Sequence, residues 1–165
     1  MPTGREKLAD TFASERGFTY LALLVIVAIM GILLTAGSQA WQQAAQREKE
    51  KELLFVGDQF RKAIGLYYQR TPGAVKKYPT SMEELLLDPR YPAKQRYLRK
   101  IFRDPMTGES KWGMVRAPEP EVGFIGVYSL GSEVPLKTGN FRMADQAFVG
   151  KMGYAEWQFV YTLPK

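Results

Sequence analysis

The side chains that could do chemistry in this chain are carboxylates, lysines, arginines and hydroxyls, because the 165-residue sequence contains neither cysteine nor histidine. These absences exclude disulfides, thiolate zinc sites and nucleophiles activated by histidine. Glu83 and Glu84 are adjacent on a predicted helix and do not face each other across a cleft. Asp104 and Asp145 could converge only through folding. With no phosphate-binding glycine loop or serine nucleophile motif, the sequence predicts a protein that is not an enzyme.

Positive charge is concentrated in one stretch. Between Leu66 and Arg116, eleven Lys and Arg face five acids, a surplus equal to the net charge of +6 of the whole chain. A solvated basic face is the more common explanation, and binding of DNA or another acidic partner is the alternative. The candidate residues are Lys76, Lys77, Arg90, Lys94, Arg96, Arg99, Lys100 and Arg103.

The first element that must position these residues is an apolar run. Phe18 to Gly37 contains twenty residues without a charge, and as a helix they rise about 30 Å, the hydrocarbon thickness of a bilayer. The run is longer than the core of a secretory signal peptide, and the sequence after it continues as helix. The sequence therefore predicts a retained transmembrane segment over 18–37.

The same helix is predicted to run on to about Arg70 as an amphipathic segment over 38–71. Its apolar residues recur at three- and four-residue steps, opposite charges alternate from Arg47 to Glu52, and Pro72-Gly73 ends it. The apolar residues are Trp41, Ala44, Ala45, Leu53, Val56, Phe60, Ile64 and Tyr67.

Residues 72–165 are predicted to form a small head, which gives an α+β fold with an antiparallel sheet packed on the helix. Ser81 to Glu84 matches a capping box that opens a short helix through Leu87, and Asp88-Pro89 ends it. Strands are predicted over Lys111–Val115, Gly123–Leu130 and Glu156–Leu163.

The aromatic residues of the last predicted strand lie on one face. Trp157, Phe159 and Tyr161 alternate with the residues of the other face. We expect them to pack on the helix stripe rather than to bind a cofactor or a base. The stripe consists of Leu53, Val56, Phe60 and Ile64.

Several motifs together resemble one family. Arg16-Gly17-Phe18-Thr19 heads the apolar run and Gly31-Ile32-Leu33 lies inside it, which is similar to the processing motif of type IV pilins and type II secretion pseudopilins. Three later segments resemble, in the same order, the head of the major pseudopilin subgroup. They are Tyr78-Pro-Thr-Ser-Met-Glu-Glu-Leu-Leu, Tyr97-Leu-Arg-Lys-Ile-Phe-Arg-Asp-Pro-Met-Thr-Gly and Gly126-Val-Tyr-Ser-Leu-Gly, and the resemblance covers Glu15 to Glu133.

The resemblance implies a pilin-like fold and a route of maturation. Residues 1–17 would be a cytoplasmic leader, cut between Gly17 and Phe18 by a prepilin peptidase that then methylates the amino group of Phe18. The mature chain would cross the inner membrane once, with its head in the periplasm. Its partners would be other pseudopilins, the peptidase, an inner-membrane assembly platform and membrane lipid, in a short fibre that serves protein secretion.

Two positions depart from the family pattern. Ala22 stands at the fifth mature position, where the family carries a glutamate that meets the amino terminus of a neighbour at Phe18. This departure indicates a minor or divergent subunit. The major pseudopilin subgroup also binds calcium after its Ser-Leu-Gly strand, where this chain has Glu133 followed by Val134-Pro135. Calcium takes six to eight oxygen ligands, so we expect no metal, with Glu133 as a weak candidate.

Overall fold

The computed structural model describes residues 7–163, and it describes their side chains except over 7–17 and 33–39. The regular elements in chain order are the helices α1 (Lys7–Gln69) and α2 (Glu83–Leu86) and the strands β1 (Gly113–Arg116), β2 (Phe124–Tyr128) and β3 (Phe159–Val160). All three strands are antiparallel and pair in the order β1-β2-β3. The predicted α+β class is therefore confirmed. Two compact units, 1–44 and 45–165, divide the chain.

In the first unit, α1 begins at Lys7 rather than at Phe18, so the predicted helix start is wrong. The residues before Phe18 are mostly good helix formers, and the single glycine at position 17 costs only about 1 kcal/mol within a helix. Among the residues described, no helix combines the length and the hydropathy needed to cross a membrane. The predicted span over 18–37 extends into 33–39, whose side chains lie outside those described.

In the second unit, α1 ends at Gln69, immediately before the predicted Pro72-Gly73 stop. The ammonium group of Lys76 donates to the carbonyl of Gln69 at 2.9 Å and to that of Thr71 at 3.3 Å. Terminal carbonyls of a helix have no partner within the helix. A lysine side chain therefore caps α1.

The short helix α2 forms where predicted, but Ser81 does not cap it. The residue before the helix is Met82, and no side-chain capping bond is made there. Instead Glu84 reaches back to Thr80, accepting from its backbone N–H at 3.1 Å and from its hydroxyl at 2.5 Å. The predicted capping box with Ser81 is therefore wrong, and Glu84 instead binds Thr80, four residues before it.

The strands are shorter than the sequence predicts. β1 starts at Gly113 rather than Lys111, because the indole of the buried Trp112 donates to the carbonyl of Phe102 at 2.8 Å. β2 lies within its predicted range. β3 keeps only Phe159 and Val160, since residues 154–156 form a 3₁₀ turn just before Trp157.

The core of the second unit lies between α1 and the sheet, as predicted. Phe159 and Trp157 are fully buried in the same cluster as the helix stripe, so the expected packing is confirmed. The ring of Phe159 covers Gly57 so closely that a Cβ there would overlap its ring atoms. Phe60, three residues after Gly57 in α1, contacts Trp112, and the two ring centroids lie 5.1 Å apart.

Replacing Gly57 with alanine is expected to lower the free energy of unfolding by roughly 1–3 kcal/mol, because the added methyl group must displace a buried ring. Urea unfolding of the purified full chain measures the change. Gly139→Ala is the matched control, since a Cβ at Gly139 meets nothing within 4 Å. Equal stability of the two variants would contradict the packing described.

Candidate functional surfaces

An apolar surface lies on α1 in the first unit. Its large apolar side chains are exposed where they are described, whereas the second unit has a buried apolar core. The half-exposed Ala22 lies among them. The exposed residues are Phe18, Tyr20, Leu21, Leu23, Leu24, Val25, Ile26, Val27, Ile29, Met30 and Ile32. Apolar patches of this extent mark contacts with lipid or with other proteins.

The proposed processing site is helical. The bond between Gly17 and Phe18 lies inside α1, ten residues after its first residue, Lys7. The backbone of an α-helix is closed into hydrogen-bonded rings. A protease that takes an extended segment must therefore first unwind α1 around Gly17, where glycine lowers the cost of leaving the helix.

The residues of the predicted basic patch separate into two groups. Lys76 caps α1, and Arg90 forms an ion pair with the buried Asp88. The others are exposed and take part in none of the ion pairs of the described residues. We call this second group the basic surface; it consists of Lys77, Lys94, Arg96, Arg99, Lys100 and Arg103.

Arg90 is the centre of a buried polar network. Its guanidinium group binds both carboxylate oxygens of Asp88, at 2.8 and 2.6 Å. It also donates to the hydroxyl of Thr71 at 2.8 Å and to the carbonyl of Tyr67 at 3.1 Å. The guanidinium carbon lies 3.5 Å from the centroid of the Tyr67 ring. Arg90 therefore ties the loop after α2 to the end of α1 and is not available to a partner.

Burial and hydrogen bonding shift the pKa values of this network. Burial opposes the ionisation of Asp88, but hydrogen bonds from Arg90 and Tyr97 outweigh it and lower the pKa of the carboxyl group. Burial and the hydrogen bond to Asp88 raise the pKa of Tyr97 to about 12. For Glu84, burial likewise opposes ionisation, and bonds from Thr80 and Tyr67 lower its pKa. The network is thus held with ionised carboxylates and neutral phenols.

A second buried carboxylate, which the sequence did not single out, is Glu50. One oxygen accepts from the backbone N–H groups of Leu136 at 2.6 Å and Lys137 at 3.2 Å, and from the hydroxyl of Tyr154 at 2.9 Å. In the sequence, Glu50 looks like one more charge in the solvated run from Arg47 to Glu52. The signal that the sequence offered for its burial was the position of Glu50, one helical turn before Leu53 of the apolar stripe.

Asp104 and Asp145 have separate sets of partners and do not form a carboxylate pair. Asp104 accepts from the hydroxyl of Ser129 at 2.7 Å and from backbone N–H groups of its own turn and the end of β2. Asp145 binds Arg61 of α1 at 2.8 Å. Both are buried and both join loops to the core.

The weak calcium candidate, Glu133, is exposed. Among the residues that the structure describes, no group of three or more acidic side chains is placed to hold a metal ion. A full set of oxygen ligands for calcium is therefore not assembled around Glu133 by the described residues.

The fold is that of an α+β protein whose first helix carries both an exposed apolar surface and one wall of the head's core. Comparison of the chain with protein-family models, with curated proteins and with solved structures gave no match.

Replacing Asp88 with asparagine is expected to destabilise the fold by about 3 kcal/mol at neutral pH, because Arg90 is left buried without its counter-charge. The lowered pKa of Asp88 means that its contribution is complete above the ordinary pKa of aspartate and is lost as the pH falls through the folded-state value. The difference between wild type and D88N should therefore shrink below about pH 4.

Urea unfolding at a series of pH values measures this difference. Glu83→Gln is the control. It removes one carboxylate charge from the same part of the chain, but from a side chain that is exposed. A gap between D88N and wild type that stays constant down to acidic pH would contradict the role of the ionised carboxylate.

Replacing Glu50 with glutamine is expected to lower stability by about 2 kcal/mol, because a charged acceptor of three hydrogen bonds becomes a neutral one. Thermal unfolding of the full chain measures it. The exposed Glu48, which pairs with Lys51 on the same helix, supplies the control variant E48Q, whose effect should stay below about 0.5 kcal/mol. Equal effects at the two positions would rule out a special role for Glu50.

Proposed function

We propose that this protein is a pilin-like assembly subunit, of the pseudopilin type found in type II secretion systems. In this proposal a prepilin peptidase removes residues 1–17 and methylates Phe18. The apolar segment over 18–37 holds the subunit in the bacterial inner membrane, and it then packs beside the same segment of other subunits in a short periplasmic fibre.

The observation that carries the proposal is the exposed apolar surface of α1 from Phe18 to Ile32. Burial in lipid or against a neighbouring helix would stabilise each of these side chains, at roughly 25 cal/mol per Å² of apolar surface removed from water. Lipid serves before assembly and neighbouring helices serve after it. A single surface can thus act as anchor and as assembly contact.

The construction of the head supports a structural rather than a catalytic role. The buried carboxylates Glu50, Asp88, Asp104 and Asp145 each bind groups within the head. They join loops to α1 and to the sheet, so that the head covers the second half of the helix. Side chains that are engaged in this way are held for stability and are not free to act on a substrate.

Ala22 limits the type of assembly. A subunit with glutamate at this position can offer a carboxylate to the amino terminus of its neighbour, whereas this chain offers a methyl group. Its own amino terminus at Phe18 can still receive a carboxylate from a different subunit, and a buried cation gains several kcal/mol from such a partner. The proposal therefore assigns this chain to a minor or divergent position, beside subunits that carry the acid.

Processing provides the test. Replacing Gly17 with valine is expected to leave an uncut precursor. The valine side chain obstructs the approach of a protease to the bond, and it removes the backbone freedom that glycine gives to this position. The measurement is the mobility and the amino-terminal residue of the full chain, co-expressed with a prepilin peptidase. Gly31→Ala, in the same helix but away from the bond, should be cut normally.

Fractionation of the same cells separates the two parts of the proposal. Wild type should remain in the membrane pellet after alkaline carbonate extraction and should begin at Phe18. A wild-type chain that retains Met1 when the peptidase is abundant would contradict the proposed processing. Recovery of the intact chain as a soluble protein would contradict the proposed membrane anchoring.

A further inference from the structure

The strongest feature that the proposed function does not use is the basic surface of Lys77, Lys94, Arg96, Arg99, Lys100 and Arg103. We propose that this surface binds the phosphate backbone of a nucleic acid. The inference concerns the head alone and goes beyond the assembly role. Three features support it: the exposed cations without acidic partners, the joining of the loop of Lys77 to the loop of Arg96, and the scarcity of exposed apolar side chains near the cations.

The acids near this surface do not pair with its cations, because most of them bind other groups of the head. The carboxyl groups of Glu84, Asp88 and Asp104, three of the five acids between Leu66 and Arg116, turn inwards and bind groups of the head. Glu109 pairs with Lys111. Glu83 remains as the exposed acid without a described ion pair in this stretch. These carboxylates keep their charge but are held on other groups, and the six cations make none of the ion pairs of the described residues.

Hydrogen bonds join the backbones of two loops that carry cations of the surface. Arg90 donates to the hydroxyl of Thr71, which itself donates to the carbonyl of Lys77 at 3.2 Å. On the other side, the N–H of Asp88 donates to the carbonyl of Gln95 at 3.0 Å. Gln95 lies between Lys94 and Arg96. The buried Asp88–Arg90 pair therefore joins the loop of Lys77 to the loop of the arginines.

The composition of the surface favours phosphate over a protein partner. Protein interfaces depend on aromatic or aliphatic side chains at their centre. Between Asp88 and Gly113, a stretch that holds five of the six cations and whose side chains are all described, no large apolar side chain is exposed, whereas Val75 is exposed in the loop of Lys77. The exposed cations are three lysines and three arginines, and the planar donors of arginine match a phosphate group.

The test uses the full chain purified in detergent and a fluorescent DNA duplex of about 30 bp, with anisotropy as the readout. Wild type should bind at low salt. If four phosphates are contacted, raising the salt from about 50 to about 200 mM should weaken binding by about a hundredfold, because bound counterions are released. No binding at the lower salt concentration would overturn the proposal.

Two variants with the same loss of charge separate a local surface from a general charge effect. The first replaces Arg96, Arg99, Lys100 and Arg103 with glutamine and should bind at least tenfold more weakly, with a salt slope smaller by about four. The second replaces the exposed Lys49, Lys111, Arg116 and Arg142 and should bind within about threefold of wild type. An equal loss in both variants would overturn the proposal, and thermal unfolding checks that both are folded.

Two further probes decide the class of the ligand. Poly-glutamate represents an acidic protein, and vesicles that contain anionic phospholipid represent a membrane. Vesicle binding is compared between wild type and the first variant. Both carry the same apolar helix, so a difference in binding between them reports the contribution of the basic surface. If either probe competes with the duplex at an equal or lower concentration of charge, the assignment to nucleic acid is wrong.

Discussion

The packing of α1 against the sheet, through Phe159 on Gly57 and Trp112 on Phe60, is the contact on which the head depends. Neither the two-residue β3 nor the one-turn α2 could form an independent structure, since short elements gain too little from their own hydrogen bonds. Both are stable because α1 presents an apolar face along which they bury their side chains. The helix therefore acts as the template of the head, and the loops are arranged around it.

Buried carboxylates complete this arrangement. Glu50, Asp88 and Asp104 each accept hydrogen bonds from a loop that carries little regular structure of its own, and Asp145 pairs with Arg61 of α1. A buried charge is costly unless it is paired or hydrogen-bonded, so each carboxylate restricts its loop to the arrangement that supplies donors. In a head with three short strands, such restrictions replace much of the order that a larger sheet would provide.

Two surfaces remain for interactions with other molecules, and they differ in their physical character. From Phe18 to Ile32, α1 exposes apolar side chains, which removal from water would stabilise. The basic surface exposes cations whose acidic neighbours have turned inwards, and its interactions depend on salt. Assembly and ligand binding would thus respond to different conditions and could occur in the same molecule.

The sequence by itself determined the fold class, the end of α1, the antiparallel strands and the burial of Trp157 and Phe159, because these follow from local periodicity and from proline and glycine. It also located the apolar and basic segments. Only the tertiary structure decided where the strands end, that Thr80 rather than Ser81 binds Glu84, and that Arg90 is internal while Arg96 is exposed. These outcomes depend on which donors and acceptors meet across distant parts of the chain, and periodicity carries no information about that. The same reason hid Glu50, whose partners lie 86 or more residues away.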